Sequence, residues 1–341
     1  IWVKNLIIDF TIFLYHISLG RKITNGLIRL GHDVLEISDR DYVKKNRVLN
    51  LLSTQNKFNE YLVNTFKIYK PDFVFFGHSD HIDVDTINEF RKLNGNIIIS
   101  QWNEDPLMKS IKDTFLNINK IYKYKNYVDN TFVTSNIDVL KSRKLDTSNI
   151  HYLFIPVDRN IECFDVYNLN PENDIFYAMS HGVNRATLKK GKKDEREIFL
   201  NKLIRKLGNI KYDFYGFNGK EPIWGENFFT ALINSKMGLN LSRGLPTKHY
   251  SSNRIATLMG NGLLTFIDKR TSFNDIFNKN ELVFYNELDD LKEKINYYKN
   301  NPKLRKIIAK NGQKKYFNLF NEKRISNYII KKSFGRDAKL F

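Results

Sequence analysis

Short runs rich in Ile, Val, Phe and Tyr recur along this chain, each followed within a few residues by a stretch with helical spacing. That alternation restricts the fold more than any single motif does. LIIDFTIFLY reads as a strand, and SLGRKITNGLIRLGHD follows with Ile23, Leu27 and Leu30 on one helical face and Gly31 as a stop. DVLEIS, DFVFFGHS, NIIISQW, NTFVTSN and IHYLFIPV read as further strands, with NEYLVNTFKIYK and TINEFRKLNG as helices between them. The first of these helices ends at Pro71 and the second at Gly95. Strands separated by helices of about ten residues predict a mostly parallel sheet covered on both faces.

After Pro156 the pattern pauses. Residues 158–173 are polar, contain Pro171 and have no sustained period, and are read as a linker. A second alternating series starts at DIFYAMS and runs through EREIFLNKLIRKLGN, IKYDFYG, ENFFTALINS, MGLNLS, NRIATLMGN and LLTFID. The expected organisation is a Rossmann-like domain over 1–157, a second Rossmann-like domain over 174–318, and a C-terminal helix over 319–341 with the option of returning to the first domain. With 341 residues, 42% hydrophobic and 14% aromatic, the chain is large enough for two cores. No apolar stretch reaches the ~18–20 residues that span a bilayer, because LIIDFTIFLYHISLG is broken by Asp9, His16 and Gly20. A lone cysteine, Cys163, and the lack of a basic region followed by a cleavage site make the cytoplasm the expected location.

In an open parallel sheet, ligands bind beyond the carboxyl ends of the strands. Two loops there are dense in donors. The first, HGVNRATLKKGKKDER, follows DIFYAMS and holds Gly182, Arg185, Lys189 and Lys190, with Asp194 and Glu195 as available counter-charges. The second, RGLPTKHYSSN, precedes a helix starting near Arg254. It offers Arg243, Lys248, Tyr250 and three N-cap candidates, Ser251, Ser252 and Asn253. A helix start carries about half a positive charge and several unpaired N–H groups, so it suits a phosphate. Each loop by itself also reads as a solvated basic turn or a capped helix. Two such loops on one domain point to a diphosphate.

These residues and their order resemble the nucleotide-sugar-binding domain of GT-B glycosyltransferases, in particular the CgeB-like, group 1 branch. Arg185, Lys190 and Gly191 stand in the Arg-x4-Lys-Gly arrangement of many retaining members. YGFNG at 215–219, with Gly216, falls at a strand end near the base. SKMGLNLS, a loop and NRIATLMGNGLLTFID follow the family's order of strand, phosphate-binding helix start and strand. The tail ELVFYNELDDLKEKINYYKNNPKLRKIIAKNGQKKYF is similar to its closing segment, so the resemblance covers about residues 174–320, with a weaker match at 18–41. It implies an α/β, GT-B fold with two Rossmann-like domains facing across a cleft. It also implies a nucleotide-sugar donor as substrate, no separate cofactor and no metal. Members often carry Glu three residues after the helix-start Arg; here Thr257 takes that place, so the Glu-x7-Glu pair is missing and the stereochemical outcome stays open.

The resemblance places the general base on the first domain. Candidates are GHSDHID, with His78, Asp80, His81 and Asp83, and SQWNEDP, with Glu104 and Asp105; Asp105 and His78 are the first choices. Trp102 and Trp224 can stack on a sugar or base, or belong to the core. No HExxH, paired-Cys or DxD pattern suggests a metal site, and no G-x-S-x-G elbow suggests a serine nucleophile.

The net charge of +18 calls for an acidic partner or reflects codon bias alone. The expected partners are the donor, a glycan or glycolipid acceptor and the anionic inner face of a membrane, with a role in bacterial surface polysaccharide synthesis. The alternatives are a nucleic-acid binder, against which no helix-turn-helix or RRM signature appears, and a non-catalytic GT-B glycan binder. Nucleic acid is not expected as a partner.

Overall fold

The computed structural model describes residues 4–8, 18–46, 51–77, 80–107, 112–179, 195–242 and 244–341. They form two units, Ile1–Pro156 with Leu319–Phe341, and Val157–Asn318.

The first unit is a six-stranded sheet in the order β2-β1-β3-β4-β5-β6, every pairing parallel. Its strands are β1 (Lys4–Ile8), β2 (Asp33–Ile37), β3 (Phe73–Phe76), β4 (Ile98–Asn103), β5 (Asn130–Val133) and β6 (Ile150–Tyr152). The helices between them are α1 (Leu19–Arg29), α2 (Asp39–Asn46), α3 (Leu51–Tyr69), α4 (Val84–Leu93), α5 (Lys112–Lys125) and α6 (Asp138–Lys141). β3 is buried on both faces, which explains its unbroken FVFF. The Ser18 hydroxyl accepts from the Arg21 N–H and starts α1, whose Ile23 and Leu27 are buried. Leu30, expected on the same face, is the exposed C-cap residue instead, because the helix ends at Arg29. The sequence reading also had no counterpart for α5, whose Phe115 and Leu116 are exposed and blur the helical stripe.

A last helix, α12 (Glu322–Ser333), packs on α1 in this same unit. A side chain at Gly26 would run into the Glu322 carbonyl and the Ser326 hydroxyl, so glycine is what lets the two helices approach. The contact is closed by Arg29 to Glu322 at 2.7 Å and by the Ser326 hydroxyl donating to the Ile23 carbonyl at 3.1 Å.

The second unit is a five-stranded parallel sheet, β11-β10-β9-β7-β8. It contains β7 (Asn173–Ala178), α7 (Glu195–Leu207), β8 (Tyr212–Tyr215), α8 (Gly225–Ile233), β9 (Ser235–Asn240), α9 (Asn253–Gly260), β10 (Leu264–Asp268) and β11 (Val283–Tyr285), followed by α10 (Leu288–Asn300) and α11 (Pro302–Phe320). Ile175, Tyr177, Met237, Leu239, Leu264 and Phe266 form the centre of its core, each worth about 1.5–3 kcal/mol in burial. Residues 158–173, read from sequence as a linker, pack into this unit. Val166 is buried, and the Gln313 amide donates to the Phe164 carbonyl, the Asp165 carboxylate and the Gly260 carbonyl at 2.8–3.0 Å.

Candidate functional site

Strand order locates the crevice in each unit. In the second, the chain goes from β7 outward to β8 and then returns to the other side of β7 as β9, so the switch point lies between β7 and β9. The two loops singled out in the sequence leave these two strands.

Residues 180–194, with Gly182, Arg185 and Lys190, lie outside the described residues, as does Arg243. Their described flanks meet. At the β7 end, the Tyr177 hydroxyl donates to the carbonyl of Leu241, just past β9, at 3.0 Å. At the α7 end, the Glu195 carboxylate accepts from the Gly244 backbone N–H. Glu195 therefore serves as an anchor joining the start of α7 to the loop after β9.

At the start of α9, Ser252 is the N-cap residue with extended backbone, yet its hydroxyl makes no capping bond and sits 3.5 Å from the Asn240 carboxamide oxygen. The first turn of α9 is thus not capped by the Ser252 hydroxyl, as an anion-binding helix start requires. The Arg254 guanidinium lies over the Tyr177 ring, 5.2 Å from its centre, which holds it above the end of β7. Ser251 and Thr257 are buried, Tyr250, Asn253 and Arg254 half-buried. The Thr257 hydroxyl has no hydrogen-bond partner among the described residues. Gly216, just past β8, has φ +90°, and a Cβ there would collide with the Met179 carbonyl, so this glycine seats the β8 turn against the end of β7. Trp224 is the half-buried N-cap residue of α8. Tyr177 escaped the sequence reading because it sits inside the apolar run DIFYAMS, where an aromatic reads as core.

His249 and Ser272, both with positive φ, meet beside this site. The His249 N–H donates to the Thr271 carbonyl at 2.8 Å, and the ring Nε2 lies 3.0 Å from the Ser272 carbonyl and 2.9 Å from the Asp275 carboxylate. These bonds tie the loop after β9 to the turn after β10.

In the first unit the switch point lies between β1 and β3. His78 is outside the described residues. Asp80 is exposed and paired with Arg40 at 3.0 Å, and Lys120 is 4.0 Å away. His81 is half-buried, and burial pulls its pKa below the usual 6.5. Asp83 is occupied structurally, accepting from Gln55 at 2.8 Å and from Asn59 at 3.1 Å. Asp105, past β4, is half-buried and its N–H donates to the Asn103 side chain at 3.0 Å. Trp102 belongs to the core: it is 3% exposed, 4.6 Å from the Phe75 ring and pressed against Gly77.

The sequence reading missed Asp39, two residues past the end of β2. It is fully buried; one carboxylate oxygen accepts from the Arg40 N–H at 2.7 Å, and the other has no partner among the described residues. Burial raises its pKa from 3.8 to about 7, with the Arg40 N–H and charge and the nearby His81 N–H opposing and Asp80 adding to the rise. Its position just after a strand was the available signal. Among the described residues no group of three or more His, Cys, Asp or Glu is arranged to hold a metal, and no helix is long and apolar enough to cross a membrane.

Comparison with known proteins bears on the fold. Residues 193–330 match the family described as glycosyl transferase-like. Sucrose-phosphate synthase from Thermosynechococcus elongatus superposes with a TM-score of 0.61 at 12% identity, covering 98% of this chain and 99% of that one. Anabaena Alr3699/HepE in complex with UDP-glucose gives 0.59 at 12% identity over 98% and 100%. An alpha-glucosyltransferase in complex with UDP-glucose and DNA containing an abasic site gives 0.60 at 12% identity over 97% and 98%. No curated protein matches the chain. With two parallel Rossmann-like units and neighbours of this kind over nearly its whole length, the chain has the GT-B fold, and its second half matches the glycosyl transferase-like family.

Proposed function

We propose that this enzyme moves a sugar from a nucleotide-sugar donor, with UDP as the first nucleotide to test, to a hydroxyl of a glycan or glycolipid. The observation that carries the reading is the pairing of an α9 start uncapped by its Ser252 hydroxyl with Arg254 at the β7/β9 switch point. A leaving nucleoside diphosphate develops charge on its bridging oxygen. The helix N–H groups, Arg254 and the basic segment containing Arg185 and Lys190 supply the stabilisation without a metal.

The acceptor and its base belong to the first unit. In an inverting transfer Asp105 or His78 takes the proton of the acceptor hydroxyl as its oxygen attacks the anomeric carbon, and the nucleoside diphosphate departs. Thr257 in the place of a carboxylate leaves the retaining course equally open. A net charge of +18 suits work beside anionic lipids at the cytoplasmic membrane face, on acceptors for bacterial surface polysaccharide. It also suits a DNA acceptor, which one structural neighbour binds, so duplex DNA belongs in the acceptor panel.

The test is a screen of UDP-, GDP-, CMP- and dTDP-sugars for hydrolysis, together with thermal unfolding in the matching nucleoside diphosphates. Saturable protection by one nucleotide, lost in Arg185→Ala, is expected. Absence of any shift or hydrolysis with the whole set refutes the reading.

A further inference from the structure

We propose that the solvent face of α11 is a docking surface for an anionic lipid bilayer. Pro302 opens this helix, and from there to Phe320 the chain has Lys303, Arg305, Lys306, Lys310, Lys314 and Lys315 but no Asp or Glu. At about 100° per residue, positions 303, 307, 310 and 314 share one stripe, and the opposite stripe carries Ile308, Ala309, Gly312, Gln313 and Tyr316. The opposite stripe is buried and holds the helix to the second unit, where Gly312 lies against the Glu281 carbonyl. The first stripe faces solvent. Lys303, Lys310 and Lys314 are exposed, Ile307 among them is 56% exposed, and Leu304, three residues before it, is 38% exposed.

Neither component of this face is used by the fold. Lys303, Lys306, Lys310 and Lys314 make no ion pair or hydrogen bond among the described residues, whereas Lys315, Lys294 and Lys299 nearby are paired with Glu281, Asp290 and Asp174. The unpaired ammonium groups run about 16 Å along the helix axis. Ile307 and Leu304 are adjacent on the helix surface, and the core beneath is already filled by Ile308 and Tyr316.

The mixture decides the partner. Lysines alone suit any polyanion, a nucleic-acid backbone included. Exposed Ile and Leu among them gain nothing from phosphodiesters, but at a bilayer they enter the boundary between headgroups and acyl chains while the lysine stems lie along them and the ammonium groups reach the lipid phosphates. A comparable exposed pair, Phe115 and Leu116 of α5, lacks that setting: Lys120 lies 4.0 Å from Asp80, and Lys123 donates to the Tyr124 hydroxyl at 2.7 Å. The inference rests on the membrane placement proposed above for its use in the reaction, and it names the face that would make the contact.

The test is co-sedimentation of the full chain with vesicles of phosphatidylcholine, with and without phosphatidylglycerol as the anionic lipid. Binding to the anionic vesicles, weakening as salt is raised, is expected. Lys310→Gln with Lys314→Gln should weaken it about 25-fold, from about fivefold for each lysine at an anionic surface. Ile307→Gln, which leaves the charge untouched, should weaken it about fivefold or more. Lys202→Gln with Lys211→Gln removes the same charge from other exposed positions of the second unit and should leave binding nearly unchanged. All these side chains face solvent or partly so, and thermal unfolding should show each variant as stable as the parent. No binding to anionic vesicles, equal loss in the two lysine pairs, or parent-like binding by Ile307→Gln overturns the surface. Duplex DNA shifted through Lys310 and Lys314 while vesicles are ignored overturns it as well. Hydrolysis of UDP-sugars without vesicles reads the donor site separately, so failure here leaves the donor reading standing.

Discussion

Replacing Asp39 by asparagine removes a charge while preserving a shape, and the structure gives both the sign and the size of the effect. Burial raises this carboxyl from 3.8 to about 7 in the folded chain, whereas in the unfolded chain it titrates near its ordinary value of about 3.9. Between about pH 4 and pH 7 the native state therefore holds a proton that the unfolded state has released. Stability falls as pH rises through that window and levels off above it. At about 1.36 kcal/mol per pH unit the loss approaches about 4 kcal/mol, as a ceiling. In Asp39→Asn the carboxamide keeps the oxygen that accepts from the Arg40 N–H, and the other oxygen has no hydrogen bond to lose among the described residues. The new amide N–H groups subtract about 1–3 kcal/mol if they stay unsatisfied, but that offset is the same at every pH. The slope is therefore the test. Urea unfolding midpoints of parent and variant, measured at intervals from pH 4.5 to pH 8.5, should diverge as pH rises, with the variant gaining relative to the parent. Parallel curves would refute the assignment of a buried, proton-holding carboxyl just past β2.

Other perturbations follow from single contacts. Arg254→Ala should weaken nucleoside diphosphate binding about tenfold or more, with little change in the melting temperature, as titration calorimetry and thermal unfolding would show. Gly26→Ala sets a methyl group against the Glu322 carbonyl, so it should cost about 1–3 kcal/mol and loosen α12 from α1, visible as faster amide exchange in α12. Gly216→Ala combines a left-handed backbone with a clash at the Met179 carbonyl; a loss of about 2 kcal/mol or more in chemical unfolding is expected. Gln313→Ala removes three donated bonds that hold residues 164–165 and the end of α9, and should destabilise the second unit by about 2–4 kcal/mol in the same assay.

Much of the architecture was legible along the chain because secondary structure is written in short periods. FVFF reads as a buried strand, and Ile23 with Leu27 reads as one face of an amphipathic helix, from neighbours only a few residues apart. The same logic failed at α5, where exposed Phe115 and Leu116 break the stripe, and at residues 158–173, whose polar composition hides bonds to Gln313 more than a hundred residues later.

The two loops proposed to hold the donor stand out by composition, since cations beside a helix start are unusual enough to notice. The meeting of their described flanks does not, because the Tyr177–Leu241 and Glu195–Gly244 contacts depend on β7 and β9 being neighbours. The raised pKa of Asp39 is likewise invisible in one dimension: it arises from the water that folding excludes and from charges brought in by distant segments. The sequence by itself determined the alternating elements and supplied the cations and hydroxyls that we propose hold a diphosphate. Tertiary structure alone decided which described groups lie together, because strand order sets proximity and burial sets the free energy of every charge.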